Sequence, residues 1–306
     1  MVKAFLSLYW LSAIAEYVKI MRVGSWLGWI FSFGFGSIFI SLPTLERFFA
    51  ILFAFSLATA SIFVLNQYFD RKEDQENKFK SRLPVASGRI APRTALIFSL
   101  WLIISCLVVV ILVDTNLLSL FLIYLVFGTA YSAPPFRLKS VPVVDFVVSG
   151  FGAGFMPFLM GLELTDKLSF DISYFMYGVV PLMLVHCGGH IIQAVGDYEV
   201  DRKMRVHTFV VRVGKKNGAV VAGFMFLAAF FSPFIYSAFG LLSYTHLFLF
   251  FILFPLSVPI IRGYAAVLKN PSARNVVNMQ KTATKYGIVG VAVMLGYILL
   301  VKTFSF

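Results

Sequence analysis

The chain has 306 residues, of which 59% are hydrophobic and only 13% charged, with a mean hydropathy of +0.87. Soluble domains carry about 25% charged residues, so this composition excludes an ordinary soluble protein and points to a membrane. A net charge of +12 would suggest nucleic acid if it sat on a soluble core, but the apolar runs leave no such core, and nucleic acid is excluded as a partner.

In chain order, residues 1–22 come first. Lys3, Glu16, Lys19 and Arg22 punctuate an apolar pattern there, which suits an amphipathic helix lying at the membrane interface. Nine apolar stretches follow, at about 25–45, 48–69, 94–113, 115–132, 142–163, 172–196, 218–239, 244–262 and 283–303. Each approaches the roughly 20 residues needed to cross about 30 Å of hydrocarbon. None shows the ten-residue alternation of an outer-membrane barrel strand, so the spans are predicted to be helices. Cys106 and Cys187 both lie inside apolar runs and suggest neither a disulfide framework nor a metal pair.

The basic residues orient these spans. With nine spans numbered from the N-terminus, 23 of the 26 Lys and Arg fall on one side, and only Arg47, Lys167 and Lys302 on the other. The positive-inside rule then makes the N-terminus cytoplasmic and the C-terminus external, in a multi-pass protein of the cell membrane. Most of the +12 charge is accounted for by topology.

The acidic residues are few and clustered. After the second span stand Asn66, Asp70 and Asp74; after the sixth, Gln193, Asp197 and Asp201. A step of four residues turns a helix by about 400°, so each triplet lines one face and climbs about 6 Å per step. An isolated acidic triplet at a helix end reads most simply as solvated charge at headgroup level. The same triplet recurring 127 residues later, at the cytoplasmic end of another span, points instead to an internal repeat. Two carboxylate-bearing faces make an oxygen-rich cavity, and Mg²⁺ favours one or two carboxylates completed by phosphate oxygens and water. Two such ions could clamp a diphosphate. Glu73, Glu76 and Glu199 lie off the face set by steps of four and read as solvated charge. Basic residues follow each triplet and can hold the diphosphate oxygens: Lys78, Lys80, Arg82 and Arg89 after the first, Arg202, Lys203, Arg205 and Arg212 after the second. A third patch, Tyr131-Ser-Ala-Pro-Pro-Phe-Arg137-Leu-Lys139, stops the fourth span with Pro134-Pro135 and aims Tyr131, Arg137 and Lys139 at the same cytoplasmic side.

These three runs together resemble the UbiA superfamily of intramembrane prenyltransferases, and the likeness extends over nearly the whole chain. The resemblance implies one all-α domain over 1–306, a bundle of nine transmembrane helices around a central cavity. The interfacial helix at 1–22 and cytoplasmic acidic loops at about 70–93 and 197–217 would complete it. It implies two Mg²⁺ ions, with Mn²⁺ able to substitute, bound through Asn66, Asp70, Asp74, Asp197 and Asp201. Arg22, Lys78, Arg82 and Lys139 would hold the diphosphate of a polyprenyl diphosphate such as geranylgeranyl diphosphate. Asp70, Asp74, Asp197, Asp201, Asn66, Tyr131 and Lys139 form the expected catalytic set. The expected reaction transfers the prenyl group to a hydrophobic or amphipathic acceptor, an aromatic or quinone precursor or a prenylglycerol phosphate, and releases diphosphate. Two departures stand out: Arg82-Leu83-Pro84 where many relatives have Arg-Pro, and Gln193 at the head of the second triplet.

His186 and His190 are four apart on the sixth span, but no third ligand accompanies them, and packed or water-bonded histidines are expected. The alternative from another class is a secondary transporter with repeated halves. Transporters place coupling acids near the bilayer midplane, whereas here the motif acids stand at cytoplasmic span ends.

Overall fold

The structure, a computed structural model, describes residues 13–38, 42–165, 179–240 and 244–303, which are mostly helical with no strand among them. The described part opens with α1 over 13–21, the rest of the expected interfacial helix at 1–22 lying outside the described residues up to 12, and a single 3₁₀ turn, Val23–Ser25, follows. Then come α2 (Leu27–Ile38), α3 (Leu45–Phe69), the short α4 (Arg71–Glu76), α5 (Pro92–Val113) and α6 (Leu118–Ser132). A π-helical turn, Phe151–Phe155, joins α7 (Val144–Gly150) to α8 (Met156–Glu163). The rest is α9 (Val180–Lys203), α10 (Phe209–Val213), α11 (Lys215–Ala238), α12 (Tyr244–Lys269) and α13 (Ala273–Thr303).

Among the described residues five helical segments are long and apolar enough to cross a membrane: 45–69, 92–113, 115–132, 144–163 and 215–238. The long helices α9, α12 and α13 stand where three further spans were expected. The expected span at 25–45 is not one helix. It is described as helix α2 over Leu27–Ile38, and the described residues 42–44 are non-helical, so that α3 starts only after Pro43 and Thr44. Pro43 lacks the N–H that would continue the helix, and the Thr44 carbonyl takes the first bond of the next one, from Phe48 N at 2.9 Å. The sixth expected span, 172–196, lies outside the described residues up to 178. Its helix runs on to Lys203, so Asp197 and Asp201 stand inside α9 rather than in a loop.

By packing, the chain divides into two compact units. The first holds the described residues of Met1–Trp26 and Phe53–Arg137. Here α3 is the hub. The Tyr124 and Thr59 hydroxyls hydrogen-bond at 2.8 Å, linking α6 to α3, and Ser99 Oγ of α5 donates to the Ser61 carbonyl at 3.0 Å. Between lipid-embedded helices such bonds replace the hydrophobic drive that water would supply. Helix α5 buries Ala95, Ser99, Leu102, Cys106 and Val110 at steps of three and four, and exposes Ile97, Trp101, Ile104, Val108 and Leu112 as a face suited to lipid. Gln67 Nε2 donates to the Ile20 carbonyl at 2.6 Å, tying α1 to α3.

The second unit holds the described residues of Leu27–Leu52 and Leu138–Phe306. Its core is α9, whose Cys187, Ile191, Ile192 and Val195 pack with Ala219 and Ala222 of α11, Val267 of α12 and Val276 of α13. Against α2, α8 approaches backbone to backbone: a Cβ at Gly161 would stand 2.0 Å from the Phe33 carbonyl oxygen, and one at Gly36 2.1 Å from that of Phe158. Small residues on both faces permit this contact.

Candidate active site

In the first unit the chain bends at Asp70, which is non-helical between α3 and α4, yet the hydrogen-bond register passes through the bend. Asp70 N donates to the Asn66 carbonyl and Asp74 N to the Asp70 carbonyl, both at 2.8 Å. The step-of-four relation among Asn66, Asp70 and Asp74 is therefore kept in the backbone bonding. Both aspartates are buried. Asn66 Nδ2 donates to Asp70 Oδ2 at 2.6 Å and to Ser132 Oγ at 3.1 Å. Arg137 Nη2 pairs with Glu73 Oε1 and stands 3.8 Å from Asp70 Oδ1. Two residues of the third patch, Ser132 and Arg137, thus meet the first acidic motif around Asp70.

Glu73 is the residue that steps of four miss. It stands three after Asp70 and seven after Asn66, spacings that also share a helix face. That rule was available in the sequence; the pairing with Arg137, 64 positions away, was not.

After α4 the chain forms a sequence of turns. Phe79 N donates to Asn77 Oδ1 at 3.0 Å, and Ile90 N to the Pro84 carbonyl at 3.0 Å. Gly88 takes φ +77°, which favours glycine at that corner. Val85, Ala86 and Ile90 are buried, while Lys78 and Arg82 are exposed. Arg89 Nη2 donates to the Arg82 carbonyl at 2.7 Å, and its Nε to Glu16 Oε2 at 2.8 Å. Glu16 also accepts from Lys19 Nζ at 2.7 Å, and these two hydrogen bonds, Lys19 first, hold its carboxyl below the usual 4.5. Arg22 takes a left-handed φ of 51°, with its guanidinium 5.5 Å from the Phe63 ring centroid. Tyr131 is half-buried near the end of α6.

The second motif lies in the second unit. Gln193, Asp197 and Asp201 are half-buried on unbroken α9, unlike their counterparts at the α3–α4 bend. Lys139, half-buried, sits on a single 3₁₀ turn, Leu138–Ser140. Sequence reasoning missed Asp145. It is 1% exposed, and its Oδ2 accepts from Phe209 N at 2.8 Å, while the Thr208 hydroxyl accepts from Val211 N. Together they cap the first turn of α10 and tie the stretch that follows Asp201 to the start of α7. His186 Nε2 lies 3.2 Å from Ser32 Oγ, the packed polar contact expected of it.

Among the described residues no group of three or more His, Cys, Asp or Glu comes together to hold an ion unaided. The first motif nonetheless fits a hard divalent cation: an amide and two buried carboxylates in one register supply oxygen donors and leave the remaining positions to phosphate oxygens and water.

The UbiA prenyltransferase family model matches residues 27–285. The chain belongs to the UbiA prenyltransferase family. Solved UbiA structures share its fold. A UbiA homolog from Archaeoglobus fulgidus bound to DMAPP and Mg²⁺ superposes with a TM-score of 0.66 at 20% identity, over 91% of this chain and 99% of that one. The apo structure of a UbiA homolog from Aeropyrum pernix K1 reaches 0.70 at 16% identity, over 90% and 98%. In sequence, the chain is 30% identical to a probable homogentisate phytyltransferase 2 of Oryza sativa subsp. japonica over 172 residues, 54% of this chain and 44% of that protein. It is 28% identical to a digeranylgeranylglyceryl phosphate synthase of Methanothrix thermoacetophila over 165 residues, 54% and 58% respectively. The matched stretch spans about half the length of these relatives. UbiA membership gives no support to the transporter alternative.

Proposed function

We propose that this UbiA protein transfers a polyprenyl group from its diphosphate to a hydrophobic or amphipathic acceptor and releases diphosphate. The convergence of Asn66, Asp70, Ser132 and Arg137 carries the reading: a buried carboxylate is surrounded by groups that bind either a cation or an anion. Asn66, Asp70 and Asp74, with Asp197 and Asp201, would hold two Mg²⁺ or Mn²⁺ ions. Bound there, the metal would supply charge neutralisation of the diphosphate leaving group.

The chain's own residues do the rest. Asn66 and Ser132 orient the Asp70 carboxylate, while Lys78, Arg82, Lys139 and Arg22 offer cationic donors to the diphosphate oxygens. As the allylic C–O bond breaks, these donors stabilise charge on the leaving oxygen. The allylic cation is shielded from water by apolar helices, and Tyr131 offers a ring face to it, a contact worth about 0.5–2 kcal/mol. The acceptor's nucleophile then closes the new bond and gives up its proton.

The acceptor class is a phenolic ring or a prenylglycerol phosphate; relatives named for both chemistries support that range. The reading includes a cytoplasmic active face, a cytoplasmic N-terminus and an external C-terminus, supported by the basic-residue asymmetry. The test incubates the detergent-purified protein and labelled geranylgeranyl diphosphate with homogentisate, an acylphloroglucinol or geranylgeranylglyceryl phosphate, with Mg²⁺ or with EDTA. Mass spectrometry should find a prenylated product in one acceptor class and none with EDTA. Product formation that EDTA leaves untouched would overturn the metal-dependent reading.

A further inference from the structure

Arg137 carries more than a contact with the diphosphate would require. Its Nη2 is bound to Glu73 and stands 3.8 Å from Asp70 Oδ1, while its buried Nε–H has no acceptor among the described residues. The residue takes φ 39°, a left-handed conformation that a side chain disfavours, so its placement is imposed by the turn that carries it. A guanidinium beside a carboxylate competes for the same negative charge as a divalent ion. Here, however, the nearer seat is Glu73, and the separation from Asp70 exceeds hydrogen-bond length.

We infer that Arg137 is the resident counter-cation of Asp70, and that Glu73 is the positioning residue that keeps it from closing on that carboxylate. This rests on the reading of Asp70 as a metal ligand. The pair makes metal and diphosphate binding cooperative. A cation arriving alone meets a positive charge already beside Asp70. A cation arriving with diphosphate brings oxygens that can accept Arg137's unmet Nε–H, so the repulsion is relieved in the same event. Occupation of the site by metal without substrate is thereby disfavoured.

The experiment titrates Mn²⁺ into the detergent-purified protein, reading free Mn²⁺ by EPR, first with metal alone and then with inorganic diphosphate. Arg137→Met should bind Mn²⁺ alone about tenfold more tightly than wild type, as expected for removing a unit charge a few ångströms away. Its gain from added diphosphate should be smaller than that of wild type. Glu73→Gln should weaken Mn²⁺ binding with Arg137 present and have a smaller effect in the Arg137→Met background. That dependence separates positioning of Arg137 from simple loss of a negative charge. If Arg137→Met does not purify folded, Arg137→Gln replaces it under the same expectation. Unchanged or weaker Mn²⁺ binding on removal of the arginine, or equal effects of Glu73→Gln in both backgrounds, overturns the inference. Asp70→Asn guards the underlying reading: if it binds Mn²⁺ as wild type does, the metal site itself has been misassigned.

Discussion

Asp70 is held at once by the backbone of α3, the amide of Asn66 and the charge of Arg137, so its replacement acts on the site before it acts on the fold. Asp70→Ala, and separately Asp197→Ala, should lower prenyl transfer by at least about 100-fold while the protein still purifies as a single species, because on the proposed reading each would remove a charged oxygen ligand. Retained turnover in both variants, measured by product mass spectrometry, would show that the two acidic motifs do not hold the metals. Glu16 is a second residue with a direction to test. Its pKa is lowered in the folded protein by the hydrogen bonds from Lys19 and Arg89. The stabilisation it contributes is therefore fully present above 4.5 and is lost as pH falls through the lower, folded value. Glu16→Gln should melt below wild type at pH 7, and the two melting temperatures should converge as the pH falls through the lowered, folded value. A gap of equal size at both pH values would mean that the carboxylate's charge contributes nothing. At this scale Asp70 and Asp74 could be read from spacing, whereas Glu73 could not be distinguished from a solvated acid until its partner was seen.

Among the elements, the contact between α2 and α8 depends on the absence of two side chains. Gly161→Ala would place a methyl group 2.0 Å from a backbone oxygen, which no rotamer change can relieve. The helices must then separate, at a cost of about 1–3 kcal/mol. Thermal melting in detergent should show a clear drop for Gly161→Ala, and little change for Gly287→Ala, where a Cβ meets nothing within 4 Å. Equal melting of the two variants would remove the close approach as a source of stability. Periodicity anticipated most helices of the chain but not the non-helical stretch at 42–44 or the π-helical turn at Phe151–Phe155. Hydropathy averages over about 20 residues and passes smoothly across Pro43, whereas the backbone, lacking a donor there, does not.

For the whole molecule, the asymmetry of Lys and Arg makes a prediction independent of the chemistry. Cys106 and Cys187 are buried, so they give a low labelling background. In sealed right-side-out vesicles, a membrane-impermeant maleimide should label Lys302→Cys directly and Lys80→Cys only after permeabilisation. The reverse pattern would invert the orientation, and labelling of both from outside would break the nine-span count. The two compact units each contain one acidic motif, and their boundaries do not follow the halves suggested by the repeat: residues 27–52 group with the later part of the chain.

By itself the amino-acid sequence determined the membrane setting, the helical class and the two acidic faces. All of these follow from composition or from a period of three to four residues, which a chain carries locally. Tertiary structure alone decided that Arg137 stands between Glu73 and Asp70, that Ser132 meets Asn66, and that Asp145 caps the helix after Asp201. Each of those pairs joins residues more than sixty positions apart. Local periodicity says which face a side chain occupies, but the partner on that face is chosen by packing, because buried polar groups must find whichever donor or acceptor the fold brings within reach.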